Sequence, residues 1–121
     1  MRQSHLLVSL ICLPFGIHAQ TPPAGIKEMI VTGGLSSGKT YQVAEHCGAS
    51  AQTLEAYKAR FDADTKGGEQ LYASLGINIE QVFLQGRKEG ESFYASIKSA
   101  PGRDTICSQT LALVTSQVLK R

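Results

Sequence analysis

The chain has 121 residues, with 12 Lys and Arg against 10 Asp and Glu, 42% hydrophobic residues and no tryptophan. That length suits one modest hydrophobic core and is too short for two. The near-neutral charge, without a basic run or aromatic interleaving, gives no electrostatic footprint for nucleic acid or an anionic membrane surface.

Residues 1–19, MRQSHLLVSLICLPFGIHA, pair Arg2 with an apolar run from Leu6 to Phe15 and a short stretch ending in Ala19, the pattern of a cleaved secretory signal. The run is shorter than the roughly 20 apolar residues that span a bilayer, and no later stretch is longer, so no membrane anchor is expected. Loss of the leader removes Arg2 and leaves 11 basic against 10 acidic residues.

Residues 20–35 read as an extended lead-in. QTPPAG buries nothing, and IKEMIV (Ile26–Val31) is too short to classify as strand or helix by its period. A helical domain is expected over 36–121. Ser36 or Ser37 is placed to cap a first helix ending near Cys47, with Val43, Ala44 and Cys47 on its apolar side and Gly48 as the stop. Ser50 caps a second helix reaching about Asp64, with Leu54, Tyr57 and Phe61 inward. Thr65–Gly68 breaks it, and a short helix from Glu69 to Leu75 ends at Gly76.

The best-specified element is Asn78–Ser99. Asn78 is a good N-cap with Gln81 three places on, and Ile79, Phe83, Gly86, Gly90, Phe93 and Ile97 recur at steps of four and three. The phase of this stripe favours one continuous helix in which Gly86 and Gly90 let a neighbouring helix approach closely. The alternative is a loop over GRKEG, with Gly86 as the left-handed stop of one helix before another. Pro101 and Gly102 end the element, and Asp104 is placed to cap a last helix with Cys107, Leu111, Val114 and Val118 as its stripe.

Four features bear on chemistry. GGLSSGKT satisfies G-x-x-x-x-G-K-[ST] with Gly33, Gly38, Lys39 and Thr40, the signature of a loop whose backbone N–H groups cradle phosphates. Three observations oppose that reading: an exported protein meets no nucleoside triphosphate pool, no later strand supplies a magnesium-holding carboxylate, and the rest of the chain reads as helix. His46 has no further ligands at metal spacing, and its neighbour Cys47 would point about 100° away on a helix. Loss of Cys12 with the leader leaves Cys47 and Cys107, an even pair in an oxidising compartment, and both fall on apolar helix faces, so a disulfide between the first and last helices is expected. Tyr57, Tyr72 and Tyr94 are the residues to examine for a binding face.

The expectation is an all-α bundle of four to five helices stapled by one Cys47–Cys107 disulfide, in a periplasmic or secreted protein. In size and staple it is similar to small two-cysteine helical periplasmic proteins, among them acid-stress chaperones and immunity proteins. The residues show no catalytic constellation, so the expectation is a non-enzymatic protein that binds another protein, such as an inhibitor, immunity or chaperone-like accessory, and needs no cofactor or metal. The alternative is a nucleotide- or phosphate-binding protein that uses GGLSSGKT.

Overall fold

A computed structural model describes residues 23–119, and the expected signal at 1–19 lies outside them. The described residues form an all-helical bundle: α1 (Ile26–His46), α2 (Ala51–Thr65), a 3-10 turn at Lys66–Gly68, α3 (Glu69–Ser74), α4 (Ile79–Ile97) and α5 (Arg103–Leu119). Cys47 and Cys107 are bonded, with Cα atoms 5.2 Å apart, and tie the end of α1 to the first turns of α5.

The first helix corrects the sequence reading. It begins at Ile26, ten residues before the expected cap, so most of the proposed lead-in over 20–35 is helical and IKEMIV forms its first turns. Gly33 and Gly34 lie inside this helix although each costs roughly 1 kcal/mol in a helix interior. Gly34 is buried against α4, where packing that only glycine permits offsets its poor propensity. Gly48, at φ 100°, takes the left-handed conformation that closes α1.

Ser50 and Asn78 cap their helices as expected, whereas Asp104 lies inside the first turn of α5, which starts at Arg103 with the Gly102 carbonyl accepting from Ile106 N. The Ser50 hydroxyl accepts from the Thr53 amide at 3.1 Å, and the Asn78 side chain accepts from the Gln81 amide at 3.1 Å. GRKEG is helical, so α4 is continuous and the loop alternative for that stretch is set aside. The expected break after α2 is a 3-10 turn at Lys66–Gly68, which ends α2 at Thr65 and leads into α3.

α1 is the central element, with α4 on one flank and α2 and α5 on the other. Gly34 meets Val82, Gly90 meets Gln42, and His46 stacks on Tyr94. Each of these pairs is 48 positions apart (82 less 34, 90 less 42, 94 less 46), so α1 and α4 run parallel in one register. On the other flank Tyr57 bonds Ser37 and Thr40, and Leu54 packs with Ala44, which makes α2 antiparallel to α1. α5 runs beside α2, from Cys107 at the disulfide to Gln117, whose carbonyl accepts from Arg60.

Two cores result. Ala44, Leu54, Tyr57 and Val114 form the α1–α2–α5 core, with Tyr41, Ala49 and Val118 packed on it. Phe83, only 1% exposed, centres the second, where Tyr41 meets it edge-on at 5.6 Å and Phe61 lies 4.8 Å away.

Candidate functional site: a seam, a polar cluster and a groove

The α1–α4 contact is a seam of glycines. A Cβ on Gly38 would fall well inside contact distance of the Phe83 carbonyl oxygen, and one on Gly86 would do the same at the Leu35 carbonyl. Gly90 would bring a Cβ within 2.8 Å of the Lys39 carbonyl oxygen. The two backbones therefore touch where most helix pairs are spaced 8–10 Å apart by side chains. This explains why the α4 stripe stays in phase across Gly86 and Gly90.

The same geometry removes the phosphate-loop reading. GGLSSGKT lies wholly within α1, so its amides belong to the helix and no loop exists to cradle an anion. Among the described residues there is no strand before it. Gly33 is exposed, Gly38 is buried in the seam, Lys39 sits 4.5 Å above the Phe93 ring, and Thr40 bonds the Tyr57 hydroxyl. These four residues share a helix and do not form a site. Matched to Gly86 and Gly90, the motif's Gly38 with Gly34 is half of a helix-packing pattern.

Where the seam ends, glycine gives way to polar side chains. Gln42, 6% exposed, donates to Glu91 at 2.8 Å and Glu45 at 3.1 Å, and accepts from Arg87 Nε at 2.7 Å. His46 Nε2 lies 2.5 Å from the second Glu91 oxygen, and its ring stacks on Tyr94 at 4.6 Å and 9°. Tyr94 in turn accepts from Arg103 Nε at 3.0 Å, which raises the Arg103 pKa and links the cluster to α5. Three helices meet here through hydrogen bonds joined by one ring stack.

His46 is exposed, yet its contacts with Glu91 and Tyr94 make it a joint between α1 and α4. The sulfur of its neighbour Cys47 is in the disulfide, so no thiolate adjoins the imidazole. No group of three or more His, Cys, Asp or Glu among the described residues is arranged to hold a metal ion.

The three tyrosines do not share a face. Tyr57 is buried; desolvation raises its pKa against the opposing hydrogen bonds from Ser37 and Thr40. Tyr72 folds over Gly68 in the α2–α4 connection, and Tyr94 is half-buried under His46. The expected tyrosine surface around Tyr57, Tyr72 and Tyr94 is thus replaced by three separate structural roles.

The concave surface lies elsewhere. Between the N-terminal halves of α1 and α4 runs a groove of about 470 Å³ with Val31, Leu35, Ile77 and Val82 along it. Lys27, Asn78, Gln81, Gln85 and Glu89 supply its polar wall. Sequence reasoning missed the groove because its α1 wall, Lys27, Val31 and Leu35, comes from the stretch taken as a lead-in. Its signal was the spacing Lys27, Val31, Leu35, which places the three on one face of a helix once IKEMIV is helical. Gln81 also lines a shallower hollow on the other flank of α4, with Gln42, Leu84, Arg87, Lys88 and Glu91.

No protein-family model, curated protein or solved structure matches this chain.

Proposed function

We propose that this is an exported, non-catalytic protein that binds another protein through the groove between α1 and α4. The groove is the observation that carries the reading. It combines an apolar line of Val31, Leu35, Ile77 and Val82 with a rim of polar groups, the make-up of sites that seat apolar side chains and orient them by a few hydrogen bonds. The glycine seam supports the same role, because backbone-to-backbone contact holds both walls in fixed register.

Export is supported by the disulfide, which persists in oxidising compartments, and by the leader pattern of the sequence. Among the described residues no helix is long and apolar enough to cross a membrane. An inhibitor, immunity or chaperone-like accessory role in the periplasm or outside the cell is the form of binding that this reading favours.

The test compares two variants as bait in extract from the exporting compartment. Val31→Glu places a charge in the groove, whereas Leu113→Glu changes a residue 44% exposed on α5, which does not line it. The wild-type protein and Leu113→Glu should retain one shared partner that Val31→Glu loses. Equal retention by all three folded proteins would sink the groove as the binding surface. Intact mass of the exported protein checks the leader, and a mass that still includes residues 1–19 would argue against cleavage.

A further inference from the structure

We infer that residues 66–76 form a glycine-hinged strap that opens as a unit while the helices on either side of it stay docked. The 3-10 turn and α3 contribute no buried residue, and the next buried side chain along the chain is Ile77. Of the two leucines that could anchor α3, Leu71 is 38% exposed and Leu75 only half-buried. Opening the segment therefore uncovers little apolar surface, and the free energy of a local opening scales with what it uncovers.

Most bonds of the segment close on itself; the exceptions run along the chain at its two ends, from Lys66 N to the Ala63 carbonyl and from Ile77 N to the Tyr72 carbonyl. Leu75 N donates to the Leu71 carbonyl, Gly76 N to Ala73, and the Ser74 hydroxyl to Leu71. The Tyr72 ring folds back over Gly68, where an added Cβ would lie 2.7 Å from it. The clasp thus joins two parts of the strap and does not fasten the strap to the bundle.

Both posts are fixed independently of the strap. Lys58 on α2 bonds Asp62 at 2.8 Å and reaches across to Glu80 on α4 at 3.1 Å. The Phe61 and Phe83 rings pack 4.8 Å apart beneath that bridge. The chain leaves α2 and enters α4 at positions already held together, so the intervening 11 residues (66 to 76) bear no load between the helices. Gly67 and Gly68 supply freedom at one end and Gly76, at φ 73°, at the other.

The motion matters because Gly76 and Ile77 line the groove. A strap swinging outward about Gly76 widens the groove at its α4 end while Ile77 stays buried. The opening itself does not depend on the binding role proposed above.

Hydrogen exchange on the disulfide-bonded protein tests this. Amides of Leu71–Gly76 should exchange roughly 100-fold faster than those of Gly86–Gly90, the difference expected between a local and a global opening. Tyr72→Ala, which removes the clasp, should speed strap exchange by about tenfold and leave α1 and α4 unchanged. Strap amides that exchange as slowly as those of α4 would overturn the proposal. So would a Tyr72→Ala protein in which every helix is deprotected together, because the strap would then belong to the cooperative core.

Discussion

The two flanks of α1 are packed by opposite means. Toward α4 the contact is backbone on backbone, through Gly34, Gly38, Gly86 and Gly90; toward α2 and α5 it is side chain on side chain, through Leu54, Tyr57 and Val114, with a disulfide added. The first flank is broken by adding atoms and the second by removing them. One helix can carry both because the faces differ in composition: Gly34 and Gly38 on one side, and Ala44 and Cys47 on the other.

The largest expected effect is on the stapled flank. The bridge closes a loop spanning 60 positions, for which chain entropy gives about 4 kcal/mol, a large share of the stability of a small domain. Urea unfolding with and without reductant should show that loss; coincident midpoints would mean that side-chain packing alone holds α5.

Next comes the seam. Gly38→Ala should cost about 3 kcal/mol, because the new methyl meets the Phe83 carbonyl, which cannot swing aside as a side chain can. A Gly38→Ala protein as stable as wild type would show that the helices separate without penalty. Gly34→Ala should cost less, since its Cβ meets the Val82 methyl at 2.7 Å and a side chain can yield.

Val114→Ala probes the other flank with the reverse change. Val114 is fully buried, so removing two methyl groups should cost about 2 kcal/mol, measured by thermal or urea unfolding. A negligible change would indicate that α5 moves in to fill the space.

The smallest effect has the opposite sign and sharpens the contrast. Nothing lies within 4 Å of a Cβ built on Gly33, so Gly33→Ala should stabilise by about 0.5–1 kcal/mol through helix propensity alone. Adjacent glycines, 33 and 34, are thereby predicted to respond in opposite directions to one substitution. A destabilised Gly33→Ala would show that this exposed face is covered in the protein.

Alkaline titration adds a pH test of the stapled flank. Burial holds the Tyr57 pKa above that of a free tyrosine, so the stability it confers is present below the unfolded-state value and is lost as pH rises through the folded-state one. Tyrosinate absorbance should show one tyrosine ionising after the others, with Tyr57→Phe removing that late step. A late step that survives in Tyr57→Phe would assign it to another tyrosine.

Most of the element pattern was legible in the chain. Asn78 and Ser50 bond their own helices' amides, and the stripe Leu54, Tyr57, Phe61 depends only on the helical period. The start of α1 was not legible, because a serine pair and a glycine pair are local signals for a cap and a break. Their effect is decided by Val82, 48 positions away from Gly34 in sequence. The groove inherited that error, and the polar cluster was hidden for a related reason. Gln42, Glu91 and Arg87 are ordinary surface residues until the seam brings their helices into register.

By itself, then, the sequence determined the helical class, three of the five helix starts (Ala51, Glu69 and Ile79), and the pairing of Cys47 with Cys107. These follow from period, caps and the parity of cysteines, all of which act within a helix or need only an odd residue removed. Tertiary structure alone decided whether Gly38 belongs to a phosphate loop or packs a helix, and whether His46 stands alone or joins two helices. Glycine is weak in a helix only when nothing approaches it. Once Phe83 and Arg87 occupy the space that a side chain would need, the same residue becomes the condition for the contact.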